Sequence, residues 1–342
     1  MNVARKILVN AGVEPAFRSI EETFAHISGR DHWGEAALKP TRCVGAVTHW
    51  RAEGREPFLI ATVRALLTQS PMTSVAVFTN DASGVAEVLS QAGLDTKIFR
   101  GSDGVTDFLL GKPKEIACVQ WWGLEREHPF RLTWAHKRIF REIVQECDAF
   151  ASGLSHLVYI EDDLGLPPGA LDYWCALRPI LASRGLIPAF TRSEGPDEDL
   201  RLTSPERPYR IDELPGFALP AEPGMPERRI VNMHYPYQGF YILDAPLARY
   251  HFTCSSFRTQ VRSKLSRTLG GTWGVREQAA AGAVFDRIPP GYRSRNALLL
   301  ERNNAEHFVP VAPALVRHLP ANYYADPASK KAKIPLVGAF VG

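Results

Sequence analysis

The sequence predicts an α/β fold in which helices flank a sheet wound in the Rossmann manner. Three observations carry that expectation. Short apolar runs alternate with amphipathic, helix-length segments between Cys43 and Phe99. The links between them are short, as in successive strand–helix–strand units. Further on, His156-Leu157-Val158-Tyr159-Ile160 passes directly into Glu161-Asp162-Asp163. A continuous apolar run of that length suits a strand buried on both faces.

Residues 1–40 read as a polar, partly helical lead-in, with Ile20, Phe24 and Ile27 at helical spacing and Gly29 as a stop. Cys43 to Val47 is the first buried strand, followed by Thr48-His49-Trp50 and a polar loop from Arg51 to Glu56. Pro57 suits the first position of a helix. Phe58, Ile60, Ala61, Val63, Leu66 and Leu67 form its apolar face. Val75 to Phe78 is a second strand that runs into Thr79-Asn80-Asp81. Ser83 to Ala92 is a second helix, stopped by Gly93, and Thr96 to Phe99 is a third strand. Leu132 to Glu146 has the period of one amphipathic helix, with Leu132, Ile139, Phe140, Ile143 and Val144 on one side. Its Lys137 either belongs to a solvated basic face or reaches a ligand phosphate.

The acidic strand comes next, then a helix from Ala170 to Leu181 and a strand from Leu186 to Phe190, which leads into Thr191-Arg192-Ser193-Glu194-Gly195. From Pro196 to Arg229 the chain is rich in Pro, Glu, Asp and Arg, and reads as an irregular excursion placed to cover a substrate. Val231 to Leu243 is dense in aromatics, among them Tyr237, Phe240 and Tyr241, and Gly239 permits close backbone approach. Aromatic faces with polar tips suit sugar rings, and a core β-hairpin would use the same residues. Glu277 sits near the start of an Ala-rich helix, where the dipole favours a carboxylate and simple capping suffices to explain it. Leu315 to Tyr323 places His318 after a short apolar run, ahead of a basic tail.

Composition removes several classes. The chain has 342 residues, 45% of them hydrophobic and 23% charged, as in an ordinary soluble globular protein. A formal charge of +3 is too mild for a nucleic-acid partner, but suits an anionic small substrate or a loose contact with an acidic membrane surface. The 5 cysteines are scattered with no CxxC spacing, against a disulfide framework or a zinc ribbon. No apolar run approaches the roughly 20 residues that span a bilayer, and Asn10 cuts short the only run that resembles a secretory signal. Neither GxGxxG after the first strand nor GxxxxGK[ST] anywhere is present, which excludes the dinucleotide fingerprint and the P-loop.

Three acids at a strand end cannot be buried without partners. They are expected at the carboxyl edge of the sheet, where open α/β folds place their ligands. A divalent cation is one natural compensator. An acidic turn held by Arg or by helix amides is the other.

Taken in order, these features resemble the GT-A glycosyltransferases, with Glu161-Asp162-Asp163 in the place of their DxD-type motif. The likeness runs from about Cys43 to Tyr323. Tyr159 to Asp163, Trp273 to Glu277 and His318 to Tyr323 are also similar to segments of bacterial glycosyltransferase-like proteins. The resemblance implies a GT-A-like, Rossmann-type mixed sheet flanked by helices, with a single catalytic domain over 41–325. Residues 41–195 would be its nucleotide-sugar half, 196–325 its acceptor half and 326–342 a tail. It further implies that Asp163, Glu161 and His318 hold Mn²⁺ or Mg²⁺, with Glu161 or Asp162 meeting the donor ribose. Asp81 would contact the nucleobase or ribose, Arg192 and Lys137 the diphosphate, and Tyr237, Gly239 and Tyr241 the acceptor. Glu277 would be the base of an inverting enzyme. The donor would be a UDP- or GDP-sugar. The acceptor would be a glycan or glycolipid in bacterial surface polysaccharide or lipopolysaccharide synthesis, reached from the cytoplasm at the inner face of the membrane. A metal-dependent nucleotidyltransferase or phosphohydrolase, and a non-catalytic carbohydrate-binding protein of the same fold, are the alternatives.

Overall fold

The computed structural model describes residues 39–121, 129–203, 208–233, 238–252, 279–280, 283–284, 287–303 and 307–341. The first half contains β1 (Arg42–His49), α1 (Glu56–Thr68), β2 (Met72–Thr79), α2 (Ala82–Gln91), β3 (Lys97–Arg100), α3 (Val105–Gly111), β4 (Ile116–Gln120), α4 (His136–Arg141) and β5 (His156–Glu161). There follow β6 (Leu164–Gly165), α5 (Ala170–Ala182), β7 (Ile187–Pro188), β8 (Thr191–Glu194), β9 (Arg201–Leu202), β10 (Tyr209–Arg210), β11 (Gly216–Ala218), β12 (Arg228–Asn232) and β13 (Phe240–Leu243). The chain continues through α6 (Ala245–His251), β14 (Asn296–Arg302), β15 (His307–Pro310), β16 (Leu315–His318), α7 (Asn322–Ala325), β17 (Ile334–Pro335) and β18 (Phe340–Val341). Several mixed sheets flanked by helices make this an α/β protein.

The main sheet has the order β13-β5-β1-β2-β4-β3. Every neighbouring pair is parallel except β13 against β5. Strands β1, β2 and β5 are buried almost throughout, which is why their sequences read as unbroken apolar runs. From β1 the chain passes to β2, out to the edge strand β3 and back to β4 between them, then crosses to place β5 on the other side of β1. The order therefore reverses between β1 and β5, and the carboxyl ends of these two strands are where open α/β folds place their ligands.

Helices cover both faces. Gly45 lets α1 lie close on β1, since a Cβ there would stand 3.1 Å from Leu66 Cδ1. On the other face the His136 ring stacks on Tyr159, with centroids 3.9 Å apart. Side chains alternate along β1, so His49 faces α1 while Thr48 reaches the Tyr159 hydroxyl at 3.2 Å on the α4 side.

Two further sheets, built of shorter strands, occur among the described residues. One runs β10-β18-β15-β14-β12-β11 with β7 beside β14, and the other runs β17-β9-β8-β16-β6. They revise several expectations. The Pro196–Arg229 stretch is not irregular throughout, for it supplies β9, β10, β11 and the start of β12. Residues 326–342 are not a separate tail either, because β17 pairs with β9 and β18 pairs with β10 and β15. The single helix expected over 132–146 is a 3₁₀ turn, the short α4 and a π-type turn, although its apolar face is buried as expected. Both α3 and β4 went unread; Ile116 to Val119 is a run of only four apolar residues, yet it fills the gap between β2 and β3. The lead-in up to residue 38, Tyr237 and the Trp273–Gln278 segment with Glu277 lie outside the described residues. Among the described residues no helix is long and apolar enough to cross a membrane.

Candidate functional site

The three acids at the end of β5 point to three different places. Glu161 is buried against β13, where its N–H donates to the Gly239 carbonyl at 3.0 Å. Gly239 has φ +74°, and a Cβ there would come within 2.7 Å of Leu164 Cδ1 and 3.3 Å of Glu161 Oε2. The glycine is therefore required by both backbone and space.

Asp162 turns to the α1 side. His49 Nδ1 donates to its Oδ2 at 2.5 Å, and Arg55 grips both oxygens, with Nη2 at 2.5 Å from Oδ1 and Nε at 3.2 Å from Oδ2. The Thr62 hydroxyl lies 3.0 Å from the Asp162 carbonyl and 2.9 Å from that of Leu164, which ties α1 to the strand end. Both carboxylate oxygens of Asp162 are thus committed to fixed partners.

Asp163 turns to the third sheet. Its backbone carbonyl accepts from Leu319 N–H at 2.8 Å, and β6 pairs with β16 so that His318 lies opposite Leu164. His318 Nε2 is 3.6 Å from Asp163 Oδ2, beyond hydrogen-bond length. Arg55 Nη2 reaches the same oxygen at 3.4 Å. Asp163 Oδ1 is buried and has no hydrogen-bond partner among the described residues. On its other side the His318 ring bonds Glu194 Oε1 through Nδ1. Glu194 is fully buried, and its Oε2 accepts from Tyr324 N–H at 2.7 Å. The Tyr323 ring stacks on His318 at 5.4 Å and 12°.

Charge follows this geometry. Burial alone would raise the Asp163 carboxyl, but His318, and beyond it Arg192 and Arg55, outweigh burial and hold it well below the usual carboxylate range. Burial opposes the charged form of His318, yet the facing carboxylates of Asp163 and Glu194 prevail and raise its pKa above the ordinary value.

The structure brings together Asp163, His318 and Arg192 from the residues singled out by sequence. It does not bring Glu161 into a three-ligand set with them. Asp81 lies at the carboxyl end of β2, where it caps α2 by accepting from Gly84 N–H at 3.0 Å and pairs with Arg51. Lys137 is neither on a solvated face nor among the charges that act on Asp163. It is buried in α4, with Nζ 3.9 Å from the centre of the Trp134 ring. Tyr241 is a core residue of β13 whose hydroxyl meets His136 Nε2 at 2.5 Å, so it does not line an acceptor face. Nor is the stretch a hairpin, because β12 pairs with β11 and β14 while β13 pairs with β5. Sequence reasoning passed over His49, Arg55 and Glu194. His49 ends β1 and Arg55 follows it, both at the switch point, and that position was the available signal.

No family model matches the chain, and no curated protein matches it. Whether a metal suits the site is therefore judged on its own donors. A carboxylate with one orphaned oxygen, Oδ1, and with its other oxygen 3.6 Å from an imidazole nitrogen has the donor types of a cation that takes oxygen and nitrogen ligands. Among the described residues no three His, Cys, Asp or Glu side chains are arranged to hold an ion. Among the described residues the site would offer such a cation two ligands, and phosphate oxygens and water would have to supply the rest, as they commonly do for Mg²⁺.

Proposed function

We propose that the chain is a metal-dependent glycosyltransferase of GT-A type, transferring a sugar from a UDP- or GDP-sugar to the hydroxyl of a glycan or glycolipid in bacterial surface polysaccharide synthesis. The observation that carries this reading is the Asp163–His318 pair, with the unpartnered Asp163 Oδ1, beside the switch point between β1 and β5. In it, Asp163 and His318 would hold Mn²⁺ or Mg²⁺. When bound, such a cation neutralises the departing nucleoside diphosphate as a Lewis acid.

The chain's own residues have the other tasks. Arg192 and Arg55, whose charges both act on Asp163, would add positive charge for the diphosphate. Asp81, at the end of β2, and Glu161, at the end of β5, are the acids assigned to the nucleoside. Glu277 takes the proton of the acceptor hydroxyl as its oxygen bonds the anomeric carbon and the bond to the diphosphate breaks. The work is cytoplasmic, at the inner face of the membrane.

Calorimetry with UDP and GDP, with Mn²⁺ and after chelation, tests the reading. Binding is expected to depend on the cation, and equal affinity in chelator overturns the metal role. A donor screen that detects released nucleoside diphosphate then separates sugar transfer from nucleotidyl transfer.

A further inference from the structure

The third sheet is small, yet it sets three side chains in a row. Strand β16 lies between β8 and β6, parallel to the first and antiparallel to the second. Arg317 pairs with Ser193, so the next residues along, His318 and Glu194, are neighbours across the strands. His318 pairs in turn with Leu164, directly after Asp163. Glu194, His318 and Asp163 therefore succeed one another across adjacent strand ends.

The hydrogen bonds fix the middle member. An ionised carboxylate only accepts, so the Glu194 contact requires a proton on His318 Nδ1. The Tyr324 N–H holds the second Glu194 oxygen, and the Tyr323 ring holds the imidazole plane. His318 can then turn only Nε2 toward Asp163. Glu194 does not face Asp163, and its complete burial would be costly for an unpaired charge.

We propose that Glu194 is a positioning residue that fixes the tautomer and ring orientation of His318, so that Asp163 and His318 form a preorganised half-site for a divalent cation. This rests on the metal-dependent reading above and adds a residue to it. A carboxylate behind a ligating imidazole orients the ring and raises its basicity, and its loss typically weakens metal binding 10- to 100-fold.

Two measurements test the proposal. In the metal-free wild-type chain, at a pH where the ring is neutral, long-range ¹H–¹⁵N spectra should show His318 protonated at Nδ1. The Nε2–H tautomer overturns the proposal whatever the chain's activity. Because no variant is needed, this result decides even where a Glu194 variant does not fold. The second measurement is Mn²⁺ titration followed by electron paramagnetic resonance, with UDP or GDP present. The E194Q chain should bind Mn²⁺ roughly 10- to 100-fold more weakly than wild type, with its melting temperature little changed. Equal Mn²⁺ affinity in the two chains removes Glu194 from the site and leaves the donor reading standing. Absence of Mn²⁺ binding in the wild type overturns both.

Discussion

Asp162 and Asp163 are chain neighbours with the same side chain, and their surroundings differ in every respect that bears on chemistry. Asp162 faces α1 and is saturated: His49 and Arg55 occupy both of its oxygens, and Thr62 holds its carbonyl. Asp163 faces the third sheet and is open. One oxygen has only the longer approaches of Arg55 and His318, and the other has no partner among the described residues. The two residues form the turn between β5 and β6, and the chain reverses there from the main sheet, where Asp162 meets α1, to the third sheet, where Asp163 meets β16. A run of acids is thus a poor unit of function. One member is paired through both oxygens at the turn that leaves the sheet, while the next keeps one oxygen without a hydrogen-bond partner among the described residues.

The strongest test of this contrast is activity. Asp163→Ala should lower turnover on the order of a thousandfold, because a lost Lewis-acid contact is worth several kcal/mol. The fold should survive, for Arg55 keeps Asp162 and His318 keeps Glu194. Denaturant titration checks that half, and a large loss of stability would make Asp163 a structural residue like its neighbour. The opposite outcome is expected of Asp162→Ala. It strips the carboxylate from buried His49 and from Arg55, so unfolding free energy should fall by about 3 kcal/mol, the range for breaking a buried pair from one side. A variant that stays as stable as the wild type while losing nucleotide binding would exchange the two roles.

How much of this was legible in the sequence follows the same division. The main sheet was readable because β1, β2 and β5 are buried on both faces and so appear as continuous apolar runs. The parallel winding followed from the intervening helices. The second half resisted because its strands are two to seven residues long and several carry charged residues such as Arg192, Glu194, Arg201 and Arg317. Periodicity cannot distinguish a two-residue strand from a loop. The polar 196–229 segment and the last residues before 342 were therefore read as excursions, although partners far along the chain draw them into sheets. At the site, Asp163 and His318 were legible as residue types in position. Glu194 was not, because its meaning lies in a cross-strand neighbour 124 residues away. Lys137 illustrates the converse, a cation expected at a phosphate or in solvent that the fold buries against Trp134.

The smallest expected effect is a pH signature that separates the Asp163–His318 pair from the imidazoles of the apolar interior. His156, at the start of β5, is lowered to about 4 by burial and then by Arg178. The unfolded chain takes up that proton more readily, so this imidazole removes stability as the pH falls from about 6.5 toward its folded pKa. His318 has the opposite sign. Its folded pKa lies above 6.5 because the facing carboxylates outweigh burial. The folded chain therefore holds the proton more tightly, and the contribution is complete below about pH 6.5 and disappears as the pH rises through the raised pKa. Asp163 bounds the acid side. Its pKa is depressed, so its share is present above about pH 4 and lost as the pH falls toward the folded value. In chelator, the difference in unfolding free energy between wild type and His318→Gln should thus be largest from about pH 4 to 6.5 and shrink steadily on the alkaline side. A difference that instead grows with pH would mean that His318 is held as the neutral ring, as His156 is, and that Asp163 draws its low pKa from Arg55 and Arg192 alone.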